Sequence, residues 1–178
     1  MRDICIIPAR IGSKRIKHKN IKNFLGKPII SWVISYAKKS KCFSEVFVST
    51  DSTKIKKISE KFGAEVPFLR SKKLSDDKIG TGEVAKDFIL KIIQMGYKFK
   101  NVCLIYPTAI CTDIWHLKKA KSMIKRKNLD YVFFAKEYEH PIERAFYLKK
   151  ELTKAINFNG LNRRSQDLKK KYYDAGQF

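Results

Sequence analysis

Acidic residues are in short supply: 17 aspartates and glutamates stand against 39 lysines and arginines, for a formal charge of +22. Such a balance raises nucleic acid as a partner, but most of the excess is lysine scattered along every segment, whereas base-edge readout favours the arginine fork. A dedicated nucleic-acid module is therefore not expected, and only nonspecific attraction to polyanions is. The four cysteines, Cys5, Cys42, Cys103 and Cys111, show no C-x-x-C spacing, which argues against zinc and against a disulfide framework. The three histidines, His18, His116 and His140, are too dispersed to suggest a metal cluster. No apolar run is long enough for a bilayer, and the amino terminus, M-R-D-I-C-I-I-P, enters a strand instead of a secretion signal, so a cytoplasmic protein without membrane contact is expected. Neither an internal repeat nor a low-complexity linker interrupts the 178 residues, a length that suits one domain with a buried core.

What the chain does have is concentrated near its start. Ile4 to Ile7 form a continuous apolar run of the kind seen in a strand covered on both faces, and Pro8 ends it because proline cannot donate to a ladder. The following loop carries Arg10, Gly12, Ser13, Lys14 and Arg15 where the chain leaves the sheet's carboxyl edge, the place where ligands collect in open α/β folds. Cations and a hydroxyl on such a loop suit phosphate, although a solvated basic turn would read the same way.

Apolar runs at Ile4 to Ile7, Val46 to Ser49, Val102 to Tyr106 and Tyr131 to Ala135 alternate with segments of helical period, the pattern of βαβ units in a mostly parallel sheet. Helices are expected from Pro28, over Thr53 to Phe62 with Gly63 as a left-handed cap, over Gly82 to Met95 before Gly96, and after Thr112 and Asp113 as capping residues. Beyond Glu139 the pattern changes to a hairpin, Ala145 to Leu148 and Leu152 to Phe158, turning at Lys149 to Glu151. Tyr172 to Phe178 reads as the start of another strand, cut short. The domain is thus divided into a parallel-sheet region at 1–138, an arm at 139–171 and that opening strand at 172–178.

Taken in order, I-I-P-A-R-x-G-S-K-R-I, K-N-I-K at Lys19 to Lys22, G-K-P-I-I at Gly26 to Ile30 and V-S-T-D at Val48 to Asp51 resemble the acylneuraminate cytidylyltransferase family. A-E-V-P-F-L-R at Ala64 to Arg70, L-S-D-D at Leu74 to Asp77, Y-P-T-A at Tyr106 to Ala109, H-P-I-E-R-A at His140 to Ala145, R-S-Q-D-L at Arg164 to Leu168 and D-A-G-Q-F at Asp174 to Phe178 look like its pseudaminic acid branch. The resemblance implies a Rossmann-like nucleotidyltransferase fold of the nucleotide-diphospho-sugar transferase type, with helices on both faces of the sheet and an antiparallel arm used in homodimerisation. It implies joining of CTP to pseudaminic acid, a nine-carbon α-keto acid sugar, with release of diphosphate. The alternatives are a sister activity on another nonulosonic acid such as N-acetylneuraminate, or a truncated relative that keeps nucleotide binding with little turnover.

Residue by residue, the resemblance places Arg10, Gly12, Ser13 and Lys14 around the triphosphate, with Arg10 and Lys14 offsetting charge on the departing diphosphate. Asn20, Arg70, Asp76, Gly80, Thr81, Pro107 and Thr108 match the rest of the nucleotide pocket, while His140, Arg144, Arg164, Gln166, Asp174 and Gln177 match the half facing the sugar. It also implies magnesium on the phosphates, held by an aspartate segment that family members carry beyond D-A-G-Q-F, so the metal ligands stay unassigned. Four positions depart from the family pattern. Ile11 stands for a glycine, and its β-branch is expected to crowd a backbone that needs positive φ, lowering affinity for CTP. Ile79, Ile110 and Glu143 replace a threonine, a proline and a glutamine, and each is expected to weaken a polar or rigid feature of the pocket.

Overall fold

The computed structural model describes residues 2–76, 78–127 and 129–178, so Asp77 of the L-S-D-D motif lies outside the described residues. The chain divides into two compact units, 1–133 with 177–178, and 134–176.

In the first unit, β1 (Arg2–Pro8) leads through the basic loop to β2 (Asn23–Phe24) and β3 (Lys27–Pro28), a minimal antiparallel ribbon. Leu25 and Gly26 turn it, both at positive φ (49° and 80°), as a two-residue hairpin turn of this hand requires. Next come α1 (Ile29–Lys39), β4 (Glu45–Ser49), α2 (Thr53–Lys61), α3 (Thr81–Gln94), β5 (Phe99–Leu104) and α4 (Ile114–Lys127). Pro28 sits at the N-cap of α1 instead of its first turn, because its residue is still paired in β3. Ser52 caps α2, its hydroxyl accepting from Ile55 N–H at 3.4 Å, and Gly63 follows at φ 83° as the sequence suggests.

Strand order is β4-β1-β5, all parallel, with Cys5 beside Val46 and Cys103. The period of two sends Cys5, Ile7, Val46 and Val48 to one face, against Ile30, Val33 and Ile34 of α1, Ile55 of α2 and Leu117 of α4. Ile4, Ile6 and Phe47 go to the other face, where Phe88 and Ile92 of α3 cover them. Each of these fully buried side chains contributes about 1.5–3 kcal/mol, so both helical layers are secured by the hydrophobic effect. Burial pushes the Cys5 thiol well above its usual range and Cys103 up to about 12, so both pack as small apolar groups.

At the amino edge of the sheet, Asp3 accepts from Lys121 at 2.9 Å and from Asn101 at 2.8 Å, tying α4 and β5 to β1. Along the outer side of β4, Glu65 exchanges bonds with Val46 and Val48, and farther on Arg70 N–H donates to Thr50 O at 2.7 Å. That run delivers Arg70 to the carboxyl edge.

In the second unit, β6 (Ala135–Glu137) pairs antiparallel with β9 (Tyr172–Asp174), while β7 (Phe146–Lys149) and β8 (Leu152–Ala155) form the hairpin, with Lys150 at φ 55° in its turn. A short α5 (Phe158–Leu161) follows, capped by the Asn157 side chain. The strand expected at Tyr131 to Ala135 is therefore displaced: Tyr131 to Phe134 have no regular structure, and the paired strand begins at Ala135. Its partner arrives from the opposite direction, so pairing is antiparallel and is reinforced by Tyr138 against Tyr173, with ring centres 4.9 Å apart.

Candidate active site

A cavity of about 720 Å³ opens at the carboxyl edge of β1 and β5, wholly within the first unit. β1 stops at Pro8 and releases the basic loop; Arg10, Ser13, Lys14, Arg15 and Lys19 line one side, with Arg70 deeper. Against Arg10, Lys14, Arg15, Lys19 and Arg70, the lining contains a single described carboxylate, Asp76. A concave site with that charge excess concentrates polyanions and is suited to a triphosphate. The lining also has an apolar part, Ile79, Val84, Tyr106 and Pro107, surfaces that suit a flat base better than phosphate.

Arg70 is the most informative group. It is only 6% exposed, yet its Nε–H donates to a neutral oxygen, Ser75 Oγ, at 3.1 Å. Arg10 reaches the same residue, its Nη1–H donating to Ser75 O at 3.3 Å. Burial pulls the Arg70 guanidinium down from its ordinary range, Asp51 pushes it back, and Arg10 pulls it down further. Two guanidiniums gathered around one serine at a cavity wall are chemically suited to an anion.

Asp51 shapes the loop. Its Oδ1 accepts from the Ile11 N–H at 2.9 Å, fixing the turn that presents Ser13 and Lys14. Ile11 does not occupy positive φ, and its side chain packs against the core, so the backbone strain expected from its β-branch does not arise. Gly12 has open space around it and no positive φ. Asn20 is 5% exposed; its Nδ2–H donates to Arg10 O at 2.9 Å, and its buried Oδ1 has no protein donor, leaving an acceptor at the cavity wall.

Of the residues expected at the nucleotide, the cavity thus gathers Arg10, Ser13, Lys14, Asn20, Arg70, Asp76, Thr81, Pro107 and Thr108. Gly80 is the N-cap of α3 beside Thr81. Arg15, expected on the phosphate-suited loop, lines the cavity as well. Asp51, Ser75, Lys19, Val84 and Tyr106 are not assigned a role from the sequence, although Lys19, Asp51 and Tyr106 lie in the K-N-I-K, V-S-T-D and Y-P-T-A motifs. Of the departures, Ile79 lines the cavity, Ile110 packs on the core, and Glu143 in the second unit is paired with Lys171, which holds its carboxyl below the usual range.

The residues expected at the sugar lie mainly in the second unit. His140 is exposed ahead of Pro141, Arg144 Nη2–H donates to Arg163 O at 2.6 Å, Arg164 caps a short turn that contains Gln166, and Asp174 Oδ1 accepts from Gly176 N–H at 2.8 Å. Gln177 belongs to the first unit, where its carbonyl accepts from Tyr106 N–H at 3.0 Å and its Oε1 from Thr112 Oγ1–H at 3.2 Å. Among the described residues no three histidine, cysteine or acidic side chains gather as a metal site. A magnesium arriving on a triphosphate would need only one or two protein carboxylates; the lining offers Asp76, whose Oδ1 accepts from Lys78 N–H at 2.8 Å.

A family model described as cytidylyltransferase matches residues 4–173. The chain is 42% identical over 180 residues to the pseudaminic acid cytidylyltransferase of Campylobacter jejuni, covering 100% of this chain and 77% of that one. It is 36% identical to the Helicobacter pylori protein named pseudaminic acid cytidylyltransferase and UDP-2,4-diacetamido-2,4,6-trideoxy-beta-L-altropyranose hydrolase, covering 99% of this chain and 34% of that one. Among solved structures, a CMP:2-keto-3-deoxy-manno-octonic acid synthetase complexed with CTP superposes with a TM-score of 0.69 at 16% identity, over 99% of this chain and 72% of the other. That likeness shows the fold, a Rossmann-like nucleotidyltransferase sheet with helices on both faces, as the two core clusters require. Sequence match and architecture together establish that the chain belongs to the cytidylyltransferase family.

Proposed function

We propose that this protein transfers the cytidylyl group of CTP to the anomeric hydroxyl of pseudaminic acid. The observation that carries the reading is the cavity with five cations, the buried Arg70 among them, in a chain 42% identical along its whole length to a protein named for that activity. The sugar oxygen forms a bond to the α-phosphorus as the bond from that phosphorus to the bridging oxygen breaks. The electron pair leaves with diphosphate and the hydroxyl proton is released. Chemistry of this kind depends on positioning and on stabilising charge that develops on the leaving group.

In this assignment Arg10 and Lys14 neutralise the departing diphosphate, Ser13 donates its hydroxyl, and Arg70 holds the nucleotide from below. Ile79, Val84, Tyr106 and Pro107 receive the base, and Asn20 Oδ1 accepts from a substrate donor. Bound magnesium would offset phosphate charge, with Asp76 as its protein carboxylate. His140, Arg144, Arg164, Gln166, Asp174 and Gln177 are assigned to the sugar, its carboxylate suiting a bidentate arginine. The β7–β8 hairpin exposes Phe146, Tyr147, Leu148 and Leu152 at 54–78%, which supports its use as a homodimer contact. No helix among the described residues is long and apolar enough to cross a membrane, and the four cysteines are free thiols, which supports assignment to the cytoplasm.

The test is to incubate the full chain with CTP, magnesium and pseudaminic acid, and to follow diphosphate and the CMP-sugar by phosphorus NMR. Stoichiometric formation of both is expected, faster than with N-acetylneuraminate. No product at enzyme concentrations equal to substrate contradicts the proposal.

A further inference from the structure

The loop after β5 supplies one cavity wall through Tyr106, Pro107 and Thr108. It lies past the end of the sheet ladder, so its shape has to come from other bonds. Within the loop, Ala109 N–H donates to Tyr106 O at 3.0 Å and Ile110 N–H to Thr108 O at 2.9 Å. Those bonds close the turn on itself without fixing it against the body of the protein. At the start of the loop Tyr106 N–H donates to Gln177 O at 3.0 Å, and farther along Tyr36 ties it to the helical layer: its hydroxyl, in the last turn of α1, donates to Ala109 O at 2.7 Å across 73 residues of sequence. Thr112, 4% exposed, follows in the same loop and donates its hydroxyl to Gln177 Oε1 at 3.2 Å. Tyr36 is not among the residues lining the cavity.

We propose that Tyr36 is a positioning residue for nucleotide binding: through Ala109 its hydroxyl sets the wall formed by Tyr106, Pro107 and Thr108. This rests on the reading of the cavity as the CTP site. Ala109 is 1% exposed, and its carbonyl also accepts a long bond from Thr112 N–H at 3.4 Å, so without the tyrosine hydroxyl it would be buried and held by that long bond in place of a short one. The loop would then shift to improve the remaining bond or find another donor. A phenylalanine ring still fills the same space beside the core, so Tyr36→Phe removes the bond and keeps the packing.

The experiment compares full-length wild type and Tyr36→Phe in two ways. Hydrogen exchange of the nucleotide-free proteins should show faster exchange over Tyr106 to Thr112 in the variant, with β1 and β4 unchanged. Calorimetry with CTP should show about tenfold weaker binding, the effect of one lost buried hydrogen bond, and turnover should show a raised KM with kcat kept. Unchanged exchange in the loop, or a loosened loop with unchanged CTP affinity, overturns the proposal, as does a loss confined to kcat or thermal stability. If wild type itself does not bind CTP, the parent reading falls and takes the nucleotide role of Tyr36 with it, while a shift in exchange alone separates that case from failure of the brace.

Discussion

Replacing Arg70 by methionine separates what this side chain costs the free protein from what it contributes to the complex. The variant keeps length and packing, and the backbone bond from residue 70 to Thr50 O, 2.7 Å, is untouched. Without nucleotide, the change gives up the bond to Ser75 Oγ at 3.1 Å, worth about 1.5–3 kcal/mol for a charged donor. It also removes the cost of keeping a guanidinium at 6% exposure near Arg10, a penalty of several kcal/mol for a buried ion that mutual attraction does not fully offset. The two nearly cancel, and unfolding free energy in urea should move by less than about 1 kcal/mol. With CTP bound, only the loss remains: one charge-assisted contact to the nucleotide, about 1.5–3 kcal/mol, or a Kd raised about 10- to 150-fold by calorimetry. An Arg70→Met protein destabilised by more than about 3 kcal/mol with unchanged affinity for CTP would refute the assignment and make Arg70 a structural residue.

Two further outcomes are expected. Burial alone would raise the Asp3 carboxyl, but its bonds to Lys121 and Asn101 outweigh that and hold it below the ordinary range. A lowered carboxyl stabilises the fold above its unfolded pKa and loses that contribution as pH falls through its folded one, so Asp3→Asn should cost about 1–2 kcal/mol at pH 7, with the difference vanishing in urea titrations from about pH 5 downward. A pH-independent difference would show that Asp3 acts through packing. If the proposed homodimer forms through the hairpin, wild type should have a dimer's mass by light scattering and Leu148→Asp with Leu152→Asp a monomer's, with CTP affinity intact; a monomeric wild type would exclude the dimer, and a dimeric variant would exclude the hairpin as its contact.

The sequence carried the first unit well because its signals are local. The unbroken apolar run Ile4 to Ile7, the stripe Ile30, Val33, Ile34 and Ala37, and the stop at Gly63 need no knowledge of partners to be read. Tyr131 to Ala135 has the same composition, yet where it pairs depends on which strand returns beside it, and Tyr172 to Asp174 fixed both register and direction. In the site, Arg10, Ser13 and Lys14 were visible as a loop after a strand. The environment of Arg70 was not, since its burial follows from the bond to Thr50 and the approach of Ser75. The backbone of Ile11 was illegible for a related reason: its N–H is anchored to Asp51, and its φ is not positive. Tyr36 belongs by periodicity to the buried stripe of α1, and only the fold reveals that its hydroxyl reaches Ala109.

A crystal structure of the protein grown with CTP and magnesium would decide whether the basic loop grips the triphosphate. Phosphate oxygens are predicted within about 2.7–3.2 Å of Ser13 Oγ, Lys14 Nζ and the Arg10 guanidinium, with the base against Tyr106 and Pro107. A nucleotide bound with its phosphates away from that loop, or no nucleotide in the cavity at saturating CTP, would contradict it.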